Sequence, residues 1–269
     1  MKAALVRLYK HLFVRRAFYR LHGRLVNIGL WGMGILNSEN FILSGEEHFL
    51  RHLGEYVSVG EPPVVLDVGA NIGSYSSRVM QLYPQARVYA FEPHAVSFRR
   101  LSEQAQRLGF EAFNLAASEV AGRANLYNRP GTSSEMASLQ RGVIEAGISR
   151  PAVSSEVQVA RLDDFVQDHG LSHISLLKID TEGHELSVLR GAAEMLAAGQ
   201  VEAVQFEFNE MHAISRVFLR DIVEVLPGYV FYRLLPDGLV PISPYPPFRS
   251  EIFAFQNIAA LRREAGHTA

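Results

Sequence analysis

A short apolar run, Val64-Val-Leu-Asp-Val68, empties directly into the turn Gly69-Ala-Asn-Ile-Gly73, and few folds accept that junction. An uninterrupted apolar strand is buried on both faces, which calls for a parallel sheet with helices on each side. Residues 74–83 then suit a helix. The rhythm repeats as strand 87–91, helix 95–108, strands 111–115 and 174–179, helix 184–198 and strand 201–206. Alternating strands and helices predict an α/β architecture. The end of the chain departs from it: residues 229–235, the turn Pro236-Asp-Gly238 and residues 251–256 read as two strands with no helix between them. The last strand should therefore run antiparallel.

At 269 residues, one domain with an appendage is as acceptable as two domains. An apolar share of 48% with 20% charged residues is ordinary for a globular chain and excludes disordered, collagen-like and disulfide-scaffold classes. The absence of cysteine removes thiolate metal sites and cysteine nucleophiles. No apolar run is long enough to span a bilayer as a helix, and the expected location is the cytoplasm. Charge is uneven, however. Residues 1–40 carry Lys2, Arg7, Lys10, Arg15, Arg16, Arg20 and Arg24 against Glu39 alone, although the whole chain has a net charge of −2. Residues 3–26 read as one basic amphipathic helix, which suits packing on the body or a partner, or lying on an anionic membrane. A connector at Gly29–Gly34 and a capped helix after Ser44-Gly-Glu-Glu47 follow. Residues of roughly 128–156 and 241–248 read as irregular loops. The expected division is an extension over 1–60, a main domain over 61–258 and a tail over 259–269.

Three strand ends carry chemistry. Asp67, Gly69, Asn71 and Gly73 form a turn that can place backbone amides at a helix N-terminus beneath a polar ligand group. Glu92, followed by Pro93, ends the second strand, where an acid suits the two hydroxyls of a ribose. Lys178, Asp180, Glu182 and His184 crowd the carboxyl end of a central strand, where open α/β sheets bind ligands. Capping accounts for acids there but not for Lys178, the only lysine beyond residue 10. A nicotinamide turn would read Gly-x-Gly-x-x-Gly, whereas Ser74 stands at its third glycine, and no Tyr-x-x-x-Lys pair exists. The pattern Asp-x-Gly-x-Asn-x-Gly suits S-adenosylmethionine better, a cofactor with an amino-acid moiety, a sulfonium and a ribose but no phosphate.

Together with Leu162-Asp-Asp164, these motifs (Asp67–Gly73, Ala90-Phe-Glu-Pro93 and Leu177-Lys-Ile-Asp-Thr-Glu-Gly-His-Glu-Leu-Ser-Val-Leu-Arg-Gly191) resemble the FkbM family of S-adenosylmethionine-dependent methyltransferases over residues 61–257. The resemblance implies a class I methyltransferase, Rossmann-like fold: a mostly parallel seven-stranded sheet with an antiparallel last strand and helices on both faces. It implies O-methylation of a sugar, glycan, glycolipid or polyketide-type hydroxyl. It makes Asp67, Gly69, Ala70, Asn71 and Gly73 the cofactor loop and Glu92 the ribose ligand, and puts Ala117 and Ser118 near the adenine.

An alcohol needs a base or a metal beside it before it attacks a methyl group. Asp180 is the first candidate base and His184 the second, with Lys178 orienting the carboxylate. Glu182 could assist, or join Asp180 and Glu207 around a divalent cation, though no spacing demands a metal. His212, Arg216 and the loops 129–140 and 241–249 are candidate acceptor contacts. A non-catalytic methyltransferase-like binding protein and a nicotinamide oxidoreductase are the alternatives. The acidic body lacks the basic surface that nucleic acid requires. Oligomeric state and acceptor identity stay open.

Overall fold

The computed structural model describes residues 2–129, 137–146, 151–242 and 245–263. Strands β1 (Val64–Val68), β2 (Arg87–Phe91) and β3 (Glu111–Phe113) pair in parallel. The chain then leaves the sheet to form a second one from β4 (Ala116–Ala117), β5 (Gly122–Asn128), β6 (Ala137–Ser138) and β7 (Val153–Ala160), and returns as β8 (Ile174–Ile179) and β9 (Val201–Phe208). Strands β10 (Tyr229–Leu235), β11 (Gly238–Pro241) and β12 (Gln256–Arg262) complete the main sheet. Its order is β11-β10-β12-β9-β8-β1-β2-β3. All residues of β1 and β8 are buried, which is why they read as continuous apolar runs. One apolar layer contains Leu66, Leu177, Val204 and Ile258; the other contains Val65, Leu176, Ala203 and Ala259.

Several boundaries differ from expectation. The third strand ends at Phe113, because the Asn114 side chain donates to the carbonyls of Glu92 and Pro93 instead of continuing the ladder. The antiparallel strand is Gln256–Arg262, not 251–256, and it lies between β9 and β10. Buried on both faces, it uses small residues such as Ala259 and Ala260, whereas the preceding aromatics Phe253 and Phe255 lie outside it. It also runs past the expected domain boundary at 258. The sheet has eight strands, not seven, because Gly238–Pro241 folds back on β10 as an edge hairpin. Parts of the expected loop 128–156 are ordered as β6, the helix Arg141–Glu145 and β7. Residues 130–136, 147–150, 243 and 244 of the two expected loops lie outside the described residues.

The basic segment is two helices, Lys2–Phe13 and Tyr19–Gly32, separated where Arg15 takes an extended backbone. The second helix continues through Gly29, so the connector begins only at Met33. The following stretch belongs to the body: Ile35, Phe49, Leu50 and Leu53 are fully or almost fully buried, and the boundary expected at 60 falls too late. Gly45, not Ser44, precedes the helix Glu46–Arg51. Its φ is +81°, and a Cβ there would meet the Leu235 backbone nitrogen at 2.7 Å. Ser44 Oγ instead donates to Glu46, at 2.9 Å.

Candidate active site

The turn after β1 is held by its own hydrogen bonds. The amides of Gly69 and Ala70 both donate to the Phe91 carbonyl, that of Gly73 to Ala70, and that of Asn71 to Glu92 Oε2 at 2.9 Å. These four amides are committed within the turn and to its neighbours. The turn contributes shape. Gly69 has φ +83°, and a Cβ on it would stand 1.8 Å from the Asp180 backbone oxygen, so glycine lets the β1 and β8 loops touch. Gly73 faces Leu101 rather than a cavity.

Glu92 is 6% exposed, and its other oxygen accepts from the His94 amide at 2.7 Å. Burial pushes its carboxyl up to about 7 despite those two amides.

At the mouth of β8, Lys178 lies opposite Asp67 in the ladder with β1, and its Nζ donates to Asp180 Oδ2 at 3.1 Å. The two partners differ sharply in exposure: 4% for the Lys178 side chain and 37% for that of Asp180. Burial alone would depress the ammonium, but Asp180, Glu46, Asp67 and Glu207 outweigh it and hold Lys178 above the ordinary lysine value. The lysine also sits 5.3 Å over the Tyr75 ring. Burial raises the carboxyls of Asp67, Glu46 and Glu207, and takes Glu182 to about 8 with help from Asp180. Several acids thus crowd one buried lysine at this strand mouth.

Glu46 is a site residue that the sequence reading missed. Gln205 Nε2 donates to it at 3.0 Å, and Tyr75 donates to the same Gln205. Its only sequence signal, a carboxylate in a helix first turn, fits capping equally well.

The loop from Asp180 to Glu185 has its own support. Glu182 has φ +54°, and its carbonyl accepts from Ser138 Oγ at 2.9 Å. Glu185 Oε1 accepts from the Thr181 amide and hydroxyl, while its other oxygen lies 3.0 Å from His212 Nε2. Both Glu185 and His212 are 1% exposed, so His212 supports this loop and does not face an acceptor. Arg216 is exposed at the end of the helix Glu210–Ser215. His184 Nε2 lies 2.9 Å from Ser118 Oγ, and burial holds the imidazole below its ordinary value. It is accordingly neutral and partly occupied.

These elements line an open cleft that gathers Gly69, Asn71, Glu92, Pro93, Ala117, Asp180, Glu182 and His184. Leu115, Leu126, Ser138 and Leu139 also line it; the last two fall in the loop 129–140 expected to contact the acceptor, whereas Leu115 and Leu126 carried no sequence signal. A second cavity behind the turn takes Asp67, Ala70, Lys178, Glu46, Tyr75 and Arg100, and the two share Gly69, Asn71 and Asp180. Among the described residues, no group of three or more His, Asp or Glu side chains is placed to hold a metal ion.

The FkbM methyltransferase domain matches residues 67–231, which contain the turn, Glu92 and the β8 loop. The chain belongs to the FkbM methyltransferase family. It is 31% identical over 175 residues to methyltransferase sdnD of Sordaria araneosa, covering 55% of this chain and 68% of that protein. To 2-O-methyltransferase NoeI of Sinorhizobium fredii it is 28% identical, covering 66% and 76%. To 31-O-demethyl-FK506 methyltransferase FkbM of Streptomyces tacrolimicus it is 30% identical, covering 68% and 76%. Among solved structures, the plantazolicin methyltransferase BpumL in complex with SAH aligns with a TM-score of 0.42 and 8% identity, over 82% of this chain and 84% of that one.

The fold is that of a class I methyltransferase, and the methyl donor of the family is S-adenosylmethionine. The residues present fit that group: Glu92, a buried carboxyl at the end of β2 on the wall of the cleft, would suit the hydroxyls of a ribose. A pH effect follows from Glu92. To accept ribose hydroxyls on both oxygens it must be ionised, so below pH 7 binding carries the added cost of removing a proton. Affinity for S-adenosylmethionine, measured by titration calorimetry, is expected to weaken as pH falls through about 7. In Glu92→Gln that dependence should shrink; an unchanged slope would contradict the assignment.

Proposed function

We propose that this enzyme methylates a hydroxyl of a sugar or glycan, with Asp180 as the base. One observation carries the proposal. Asp180 alone among the β8 acids pairs with the buried lysine while keeping a third of its side chain open to the cleft. Lys178, protonated and almost inaccessible, fixes one carboxylate oxygen and leaves the other for the acceptor.

S-adenosylmethionine supplies an electrophilic methyl group whose leaving group is a neutral thioether. What remains for the protein is alignment and proton removal. Asp180 takes the acceptor's hydroxyl proton as the oxygen becomes an ether oxygen. Glu182, with its carboxyl raised to about 8, stays protonated near pH 7 and can donate a hydrogen bond to a neighbouring acceptor oxygen. His184 is the weaker candidate base because Ser118 already engages it. Glu92 and the Asp67–Gly73 turn hold the cofactor, with Ala117 and Ser118 toward the adenine.

The acceptor class rests on relatives. NoeI is a 2-O-methyltransferase, AglP of Haloferax volcanii is a hexuronic acid methyltransferase, 27% identical over 173 residues, and FkbM acts on 31-O-demethyl-FK506. Two of the names specify O-methylation and one a sugar acid. Mass-spectrometric comparison of glycans from cells with and without the protein should reveal an O-methyl group that depends on it. Identical glycan methylation in both would remove the sugar assignment and turn the search to polyketide-type hydroxyls.

A further inference from the structure

Residues 2–33 stand apart from the catalytic body. None of them is buried, although they carry Leu5, Leu8, Leu12, Phe13, Leu25, Ile28 and Trp31. Tyr19 is 80% exposed, Leu5 61% and Ile28 57%. An exposed apolar surface of this extent on a folded chain marks an interaction surface. The two helices are tied to each other at their turn by Tyr9 and His22, 2.8 Å apart, and by the ring contact of Phe13 with Phe18. Arg15 and Arg16 project at that turn, beside an open niche shared with Tyr19 and His22.

Charge selects the partner. The segment has seven lysines and arginines, and no acid occurs before Glu39. On the first helix, Leu5, Leu8, Tyr9 and Leu12 fall on one side while Arg7, Lys10 and His11 fall on the other. A second copy would bring two such cationic surfaces together, which is unfavourable. Among the described residues no helix is long and apolar enough to cross a membrane. An apolar stripe flanked only by cations fits the interface of a bilayer rich in anionic headgroups. We infer that residues 2–33 form an amphipathic hairpin that docks this methyltransferase on an anionic lipid surface.

The test uses a probe that the chain already contains. Trp31 is its only tryptophan, so tryptophan emission reports on the hairpin alone. Adding phosphatidylcholine vesicles containing phosphatidylglycerol should shift that emission to the blue and carry the full chain into the vesicle pellet. Partitioning should be at least about tenfold stronger than onto phosphatidylcholine alone, and should weaken in high salt. Arg15→Glu with Arg16→Glu should lose about tenfold or more on the anionic vesicles. Leu8→Ser with Leu12→Ser should weaken binding without removing its salt dependence. Because all four positions are exposed, the body keeps its fold, checked by unchanged affinity for S-adenosylmethionine. Emission indifferent to vesicles, or equal binding to neutral and anionic ones, would overturn the inference. A blue shift that follows protein concentration without vesicles would overturn it in favour of a second copy.

Discussion

Gly69→Ala is expected to destabilise the chain by about 3–5 kcal/mol and to abolish methyl transfer in whatever fraction folds. Two effects add at this residue. Its φ of +83° costs an alanine about 1 kcal/mol or more. The new Cβ would also be placed 1.8 Å from the Asp180 carbonyl oxygen, a backbone atom that cannot rotate away. Relief requires the β1 and β8 loops to separate, which moves Asp180 from the wall shared by the two cavities. Gly109→Ala is the internal control: φ is +82° there, but no atom lies within 4 Å, so only the backbone cost should appear. Thermal or urea unfolding of the two variants decides the matter. Similar losses for both would mean that the loop contact contributes nothing.

The parallel half of the sheet was legible because strands buried on both faces leave continuous apolar runs, as in β1 and β8. The site was legible for a related reason. Such a sheet collects its ligands at the carboxyl ends of the strands, so Asp67, Glu92 and Asp180 could be placed by their strands alone. Where side chains on a strand are exposed or small, the signal fades. β5 and β7 are largely solvent-facing and β12 carries small residues; β5 went unassigned, the start of β7 was read as loop, and β12 was placed several residues early.

Glu46 was illegible for another reason, and Ser138 was legible only as part of the loop 129–140. Their roles come from tertiary placement: a helix before the sheet brings one carboxylate toward Lys178, and a strand of the second sheet brings a hydroxyl to the Glu182 carbonyl. His212 shows the converse. Its position after a strand end suggested a ligand contact, yet its ring is taken up by Glu185 and by the Asn209 amide at the start of its own helix. Polar residues at a strand mouth divide between holding a loop and facing a cleft, and burial separates them.

Asp180→Asn tests the catalytic account most directly. The amide retains the size of the carboxylate and can still accept from Lys178 through its oxygen, but it cannot take a proton. Saturated with S-adenosylmethionine and with an identified hydroxyl acceptor, the variant should show a kcat lower by about two to four orders of magnitude. Its Kd for S-adenosylmethionine, from calorimetry, should stay within severalfold of the wild-type value, because Glu92 and the glycine turn are untouched. That split, chemistry lost with the cofactor still bound, is the result predicted here. A variant that transfers methyl at near the wild-type rate would contradict the assignment of Asp180 as the base.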